Sequence, residues 1–250
     1  MDGILYEDVD ILVCRKKAGV PVQSARLGQK DMVSELNNYL AEKRESGVKA
    51  SKEEIYVVHR LDQPVEGVMV FGKTKRAAAG LSRQINEGRM KKVYRAVCCM
   101  EKALEAYGEN GTDREKEHTL VDYLLKDGKT NTSRVVKKES RDAKRAELSY
   151  RVAGMSLYKN CCGYVLAEID LRTGRHHQIR VQMANAGLPL YGDQKYNKNW
   201  KERRMEADES PSLALCAVSL TFYHPVTKKK MEFYTEPENP AFALFKKYEE

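Results

Sequence analysis

Two clusters of polar side chains interrupt apolar surroundings and contain the residues best suited to chemistry. The first is His59-Arg60-Leu61-Asp62, in which a carboxylate stands close to a guanidinium. A neighbouring cation keeps an aspartate ionised, and an ionised carboxylate can act as a nucleophile or as a base. A structural Arg–Asp pair at a turn would give the same local pattern, so this cluster alone leaves both interpretations open.

The second cluster, residues 173–180, reads Thr-Gly-Arg-His-His-Gln-Ile-Arg and lies at the predicted start of a helix. The first N–H groups of a helix, together with arginine forks, suit a phosphate group. His177 and Arg180 are three residues apart, so they would share one face of that helix. A solvated helix start is the alternative, although the segments on either side of the cluster are apolar.

Basic residues dominate two further stretches. Residues 73–95 contain eight basic residues and one acid, and they end in Lys91-Lys92-Val93-Tyr94-Arg95. A tyrosine within a basic run can stack on a nucleic-acid base while its neighbours contact phosphates, although a core tyrosine after a solvated helix face would look the same. Residues 126–145 contain eight basic and three acidic residues and predict a hairpin or loop with a basic face. The net charge of +8 favours an anionic partner and is equally compatible with an enzyme that has a basic surface.

The elements that must position these clusters predict an α+β fold. Apolar periodicity predicts helices over residues 31–45, 75–87 and within 174–187. Alternating or β-branched runs predict strands at residues 4–6, 11–13, 55–58, 67–71, 93–99, 146–152, 164–172, 216–222 and 231–234. Regular βαβ alternation is lacking, so we expect one α+β domain over residues 1–250. Its mixed, mainly antiparallel sheet would be flanked by helices and crossed by a basic cleft. Residues 105–118 are polar and predict a surface excursion.

Several classes of protein are excluded by what the 250 residues lack. There is no stretch of roughly 20 apolar residues to span a membrane and no secretory signal. Six cysteines without a C-x-x-C pair predict reduced thiols in a cytoplasmic protein. The usual dinucleotide, P-loop and zinc-protease motifs are absent, so we expect neither a metal nor a nucleotide cofactor.

Three segments, taken in chain order, resemble the motifs of the RluA-type pseudouridine synthases. They are His59–Asp62 followed by Gly67–Thr74, then Lys92–Ala96, then Leu171–Arg180 followed by Gly187–Asp193. The resemblance covers nearly the whole chain, and three motifs in the right order are far more specific than one. The chain departs from the usual family pattern at Arg15-Lys16-Lys17, at Val65-Glu66 and at His176.

The resemblance implies a pseudouridine synthase fold and the isomerisation of uridine to pseudouridine in ribosomal or transfer RNA, without a cofactor. Asp62 would act at C1′ of a flipped-out uridine, and Tyr94 would pack on the base and help to remove the C5 proton. Arg180 would pair with Asp62. The other polar motif residues are expected to bind substrate: His59, Arg60, Lys91, Lys92, Arg175, His177 and Gln178. We also expect a monomer that lacks the N-terminal S4 RNA-binding domain of many relatives.

Two other functions remain open at this stage. A catalytically silent RNA-binding protein could use the same scaffold, although Asp62, Tyr94 and Arg180 are all present. A glycoside or nucleoside hydrolase could use Asp62, but such an enzyme needs a second carboxylate across the bond, and Glu66 is the one carboxylate close by in sequence.

Overall fold

A computed structural model describes residues 3–24, 28–45, 54–100, 116–157, 163–202, 205 and 211–248. Internal contacts divide the chain into two compact units. The first comprises Met1–Lys92 and Ala217–Glu236, and the second comprises Val93–Cys216 and Pro237–Glu250. Within the described ranges, no helix is both long enough and apolar enough to cross a membrane.

Strands and helices follow each other without regular alternation. In chain order they are β1 (Ile4–Glu7), β2 (Ile11–Lys16), α1 (Met32–Glu45), β3 (Tyr56–Val57), β4 (Glu66–Gly72), α2 (Lys75–Asn86), β5 (Lys91–Met100), β6 (His118–Asp127), β7 (Thr132–Val136), β8 (Lys144–Leu157), β9 (Gly163–Leu171), α3 (Gln178–Asn185), β10 (Leu215–Tyr223), β11 (Lys230–Tyr234) and a 3-10 helix (Pro240–Tyr248). The α+β content agrees with the expectation from the sequence.

The first unit is built on the strand order β1-β2-β4-β10, with β3 paired to β4 and β11 paired to β10. The pairs β1–β2, β2–β4, β3–β4 and β10–β11 are antiparallel. Alternate residues of β2 and β4, among them Ile11, Val13 and Val70, point into a core that also contains Leu81 and Phe222. Burying such side chains supplies about 1.5–3 kcal/mol each, which makes this core the main source of stability in the unit.

Helix α2 forms where the sequence predicts it. Thr74 caps its start, because the Thr74 hydroxyl accepts a hydrogen bond from the backbone N–H of Ala77 at 3.1 Å. Gly88 follows its end with φ of 67°, a left-handed conformation that glycine adopts without strain. The side-chain amide of Gln84 exchanges two hydrogen bonds with the backbone of Tyr223, at 2.7 and 2.8 Å. These bonds fix the helix to the end of β10.

Gly67 allows β4 to begin close to β10. A Cβ atom at this position would lie 2.4–2.6 Å from the backbone and Cβ of Ala217, and the φ of Gly67 is +131°. Both features restrict the position to glycine. The strand that follows the loop bearing Asp62 therefore starts at a place that larger residues cannot occupy.

The second unit has the strand order β5-β9-β8-β6-β7. The pairs β5–β9, β9–β8, β8–β6 and β6–β7 are antiparallel. Helix α3 packs on β6 and β7, where its Val181 joins Leu124 and Ala146 in a small apolar cluster. The unit thereby presents one face of its sheet to the helix that carries the third motif.

Most of the predicted elements are confirmed, with changes at their ends. The strand–turn–strand at the amino end is present, but β2 continues to Lys16, and β5 begins at Lys91. The basic stretch of residues 126–145 includes the end of β6, strand β7 and the start of β8. The sequence did not predict the 3-10 helix. Cys14, Cys98, Cys99 and Cys216 are buried free thiols. Cys161, Cys162 and most of the predicted surface excursion lie outside the described residues.

Candidate active site

Asp62 lies half-buried in the connection between β3 and β4, in the first unit. The backbone N–H of Val65 donates to the Asp62 carbonyl at 3.0 Å, which closes a turn. The next residue, Gln63, exchanges two hydrogen bonds of 2.9 Å with the backbone of Gly19, one through its carbonyl and one through its side chain. The turn that carries the carboxylate is therefore attached to the segment that follows β2.

Lys16 donates hydrogen bonds to the same turn. Its side chain is fully buried, and its ammonium donates to the carbonyls of Lys17, Gln63 and Val65 at 3.0, 2.9 and 2.6 Å. Burial lowers the pKa of Lys16 to about 8, while the charges of Asp62 and Glu66 act to raise it. A pKa of about 8 still leaves the amine protonated at pH 7. The Asp62 loop thus surrounds a buried cation.

Glu66, a departure from the family pattern, is also compensated inside the first unit. Its side chain is buried, and its carboxylate contacts the guanidinium of Arg15 at 3.4 Å. Arg15 is itself one of the departures. The second negative charge near Asp62 in the sequence is consequently paired with a cation.

His59 and Arg60 anchor the start of the loop. The backbone N–H of Val70 donates to Nε2 of His59 at 3.2 Å, which requires that nitrogen to be unprotonated. Burial, and secondarily the charge of Lys92, lowers the pKa of His59 well below its ordinary value, so the imidazole is neutral. Arg60 is exposed and donates to the side chain of Gln23 at 2.9 Å.

Lys91 and Lys92 begin β5 and differ in their surroundings. Lys91 is exposed, whereas Lys92 is partly buried. Burial lowers the pKa of Lys92 to about 8, and its charge is close enough to act on His59. These two lysines, His59, Arg60 and Asp62 all belong to the first unit.

Tyr94 lies on β5 in the second unit, opposite Ile169 of β9. Ile169 is in turn opposite Tyr150 of β8, so the three side chains share one face of the sheet. The Tyr94 side chain is only 5% exposed. The Tyr94 ring is therefore buried among the side chains on that face.

A buried ion pair fixes Arg180. The Nε–H group and one terminal N–H of its guanidinium donate to the two carboxylate oxygens of Asp193, both at 2.8 Å. The side chains are 6% and 0% exposed. Asp193 also accepts hydrogen bonds from the backbone of Lys195 and Tyr196. A bidentate pair of this kind sets the orientation of the guanidinium as well as its position.

The turn before Asp193 depends on glycine. Gly192 has φ of +71°, and a Cβ there would lie 2.1 Å from the carbonyl oxygen of Ser212. Any larger residue would clash with that backbone. The Gly-Asp pair that ends the third motif is thus explained by a sharp turn that delivers a carboxylate to Arg180.

His177 is connected to the Arg180–Asp193 ion pair through Tyr196. It precedes α3 in a left-handed conformation with φ of 53°. Its Nδ1 is 2.8 Å from the hydroxyl of Tyr196, whose ring also lies beneath the Arg180 guanidinium at 5.2 Å. Burial, followed by the charge of Arg180, lowers the pKa of His177 to about 3. The imidazole is therefore neutral, and its Nδ1 shares a hydrogen bond with the Tyr196 hydroxyl.

Gln178 and Arg175 close the loop that leads into α3. The carbonyl oxygen of the buried Gln178 side chain accepts from the Thr173 hydroxyl and from the backbone of Arg175, at 2.8 and 2.9 Å. Its amide group donates to the carbonyl of Glu147 at 3.1 Å. Arg175 is exposed and donates through Nε to the carbonyl of Arg145. These contacts give Gln178 a positioning role within the protein, and its predicted contact with substrate stays a prediction.

One group of possible metal ligands exists among the described residues, formed by Asp8, Asp10 and His224. Nε2 of His224 donates to Asp8 at 2.9 Å, while its Nδ1 accepts from the backbone of Val226 and Thr227. Both nitrogens are occupied by hydrogen bonds, so the imidazole offers no lone pair to a metal. The group joins the turn between β1 and β2 to the end of β10.

The sequence predicted no role for three residues in these arrangements: Lys16, Asp193 and Tyr196. A lysine at the end of an apolar strand gives no sign of being buried, and Tyr196 stands in a polar stretch. Asp193 was part of the third motif, but its partner is thirteen residues away, which local patterns do not reveal.

The matching family model decides the class of protein. A model described as RNA pseudouridylate synthase matches residues 10–185, well over half of the chain. The chain belongs to this family. The resemblance to RluA-type pseudouridine synthases is thereby confirmed, and so is the class of enzyme, an RNA pseudouridine synthase, which is an isomerase.

Similar proteins are known from several bacteria. The chain is 29% identical to the ribosomal large subunit pseudouridine synthase D of Zymomonas mobilis, over 97% of this chain and 71% of that protein. It is 33% identical to the protein of the same name from Haemophilus influenzae, over 93% and 66%. It is 28% identical to the dual-specificity RNA pseudouridine synthase RluA of Vibrio vulnificus, over 97% and 88%.

A solved structure supports the fold. Human RNA pseudouridylate synthase domain containing 4 covers 97% of this chain and 90% of its own, with a TM-score of 0.68 and 24% identity. The predicted pseudouridine synthase fold is confirmed. The assignments of individual site residues, including the pairing of Arg180 with Asp62, stay predictions.

We expect Lys16→Met to destabilise this synthase. The substitution leaves three loop carbonyls without their donor, and each unsatisfied buried group costs about 1–3 kcal/mol. We expect the free energy of unfolding in urea to fall by roughly 3 kcal/mol and turnover to fall with it. Lys17→Met is the control, because Lys17 is exposed; its effect should stay within about 0.5 kcal/mol. Equal stability of the two variants would contradict the anchoring role of Lys16.

We expect Asp193→Asn to destabilise the second unit. The change keeps the shape of the side chain but leaves the buried Arg180 guanidinium without its counter-charge, which costs about 3–5 kcal/mol. Asp170→Asn, at an exposed position on β9, makes the same chemical change and should be nearly neutral. Thermal unfolding of both variants measures the difference. A wild-type melting temperature for Asp193→Asn would show that the pair contributes nothing.

Proposed function

We propose that this synthase isomerises uridine to pseudouridine in ribosomal or transfer RNA, with Asp62 acting at C1′ of a flipped-out uridine. The observation that carries the proposal is that the buried Lys16 ammonium holds the turn bearing Asp62 through the carbonyls of Gln63 and Val65, while the charge of Asp62 acts to raise the pKa of Lys16. A carboxylate fixed in this way suits a reaction that develops positive charge at C1′.

The reaction conserves every atom of the nucleotide. The N1–C1′ bond breaks, the uracil turns, and a bond forms between C5 and C1′. The proton leaves C5, and N1 ends with a proton. Because the target atom of a stacked base is out of reach, the uridine must leave the helix before the chemistry begins. Asp62 captures or stabilises C1′ while the base is detached.

Tyr94 and Arg180 are assigned to the detached nucleotide. The buried Tyr94 ring, which shares one face of the sheet with Ile169 and Tyr150, would pack on the uracil, and its hydroxyl would help to remove the C5 proton. Arg180 would grip the extruded nucleotide or the Asp62 carboxylate. The bidentate bond to Asp193 supports this assignment, since it orients the guanidinium before any substrate arrives.

The relatives support the choice of RNA. Two of those reported above are named as synthases of the ribosomal large subunit, and another as a dual-specificity RNA synthase. We therefore place ribosomal RNA first and transfer RNA second among substrates for this chain. A monomer that needs no nucleotide cofactor belongs to the same proposal.

A hydrolase is less well supported. Hydrolysis of a glycosidic bond by two carboxylates would need a second free carboxylate beside Asp62. The nearest in sequence, Glu66, is buried and contacts Arg15. A paired carboxylate of this kind is poorly placed to activate water.

Asp62→Asn tests the proposal. Large-subunit ribosomal RNA transcribed with uridine tritiated at C5 is incubated with each protein, and tritium release and pseudouridine are measured. Loss of the negative charge should lower turnover by about 10³-fold or more, because the carboxylate takes part in the bond change itself. RNA binding should survive.

Asp10→Asn provides the matched control. It makes the same change in the same unit, in the turn between β1 and β2, and it should leave turnover within about twofold of wild type. Near-normal turnover of Asp62→Asn would contradict the mechanism. Release of free uracil by the wild-type protein would favour a hydrolase instead.

A further inference from the structure

The hairpin formed by β6 and β7 carries a group of lysines that the reaction itself does not use. β6 lies between β7 and β8, and the register pairs Lys126 with Ser133 and Leu124 with Lys144. Paired residues point to the same face of a sheet, and so do residues two apart along a strand. Leu124 packs against Val181 of α3, so Lys126 and Lys144 stand on the α3 side.

Four lysines make up this group, which we name the hairpin rim: Lys126, Lys129, Lys144 and Lys195. All four are exposed. Lys129 lies in the turn of the hairpin, and the ammonium of Lys195 donates to the carbonyl of Asn131 in the same turn. In the part of the chain that the structure describes, none of the four forms an ion pair with a carboxylate.

The hairpin rim is attached to the segment that carries the third motif. The hydroxyl of Ser133 is 2.9 Å from Nδ1 of His176, and its backbone N–H donates to the Tyr196 hydroxyl at 2.7 Å. Among the charges that lower the pKa of His177 are those of Lys195 and Lys126, after burial and Arg180. Two independent observations thus place the rim beside the start of α3.

We propose that the hairpin rim binds the sugar–phosphate backbone of the RNA that carries the target uridine. Lysines are compact point charges that suit phosphates, whereas reading of bases needs forked or planar side chains. Contacts of this type position the RNA without selecting a sequence. This inference rests on the proposed function and adds to it a docking surface outside the reacting centre.

The test is a triple substitution, Lys126→Gln, Lys129→Gln and Lys144→Gln. Binding of a labelled transcript of large-subunit ribosomal RNA is titrated at several salt concentrations. Each lost phosphate contact should reduce the slope of log K against log salt by about 0.7–0.9, so the slope should fall by roughly 2. Affinity at 0.1 M salt should weaken by roughly 10- to 100-fold, while turnover at saturating RNA stays within about twofold.

The matched control is Lys228→Gln, Lys229→Gln and Lys230→Gln, which removes the same charge from exposed lysines before and at the start of β11 in the first unit. Its slope should remain that of the wild type. A rim variant with an unchanged slope would overturn the inference, and so would a control that loses affinity equally, because net charge alone would then explain the loss. Absence of pseudouridine with the wild-type protein would contradict the proposed function. The salt dependence of RNA binding tests the hairpin rim separately, because it requires no turnover.

Discussion

The buried ammonium of Lys16 is the interaction on which the arrangement of the Asp62 loop depends. Removing an ammonium from water costs several kcal/mol unless carbonyls and opposite charges replace the lost hydration. Here three carbonyls and the charges of Asp62 and Glu66 do so. This requirement draws the end of β2, the Asp62 turn and the start of β4 together. The carboxylate proposed to react is held in place by the same contacts.

The second unit also contains a buried cation, but here the cation, Arg180, is itself the group assigned to the nucleotide. Arg180 is buried against Asp193, and the ring of Tyr196 covers the guanidinium. Tyr196 then connects to His177 and, through Ser133, to the β6–β7 hairpin. Breaking a buried ion pair costs several kcal/mol, so Arg180 is held firmly. Its contact with Tyr196 then connects it to the hairpin that we propose for RNA docking. Each unit thus orients one charged group by burying its partner.

Local patterns predicted most of the elements, because they depend on periodicity and caps. Helix α2 is an example, with Thr74 before it and Gly88 after it. The motifs likewise predicted where Asp62, Tyr94 and Arg180 stand along the chain. What the sequence does not show is burial of a charge. Lys16 follows an apolar strand in the same way that an exposed lysine would, and its role follows from contacts with residues 47 and 49 positions away.

The departures from the family pattern also depend on contacts that the sequence does not show. Arg15 and Glu66 each look unusual alone, yet they are 51 positions apart and form one ion pair. His176 stacks on His177 with ring centroids 3.8 Å apart and contacts Ser133. Each substitution has a partner that only the folded chain reveals. The sequence identifies the unusual residues but does not show which of them form pairs.

The central claim is that Asp62 acts at C1′ of an extruded uridine. A crystal structure of the protein with an RNA stem-loop that carries 5-fluorouridine at the modified position tests it most directly. We predict that the nucleotide lies outside the helix, with a carboxylate oxygen of Asp62 bonded to C1′ or within about 3.5 Å of it. The role of Asp62 at C1′ would be contradicted by a nucleotide that remains stacked, or by one whose C1′ faces another carboxylate while Asp62 lies farther than about 6 Å away.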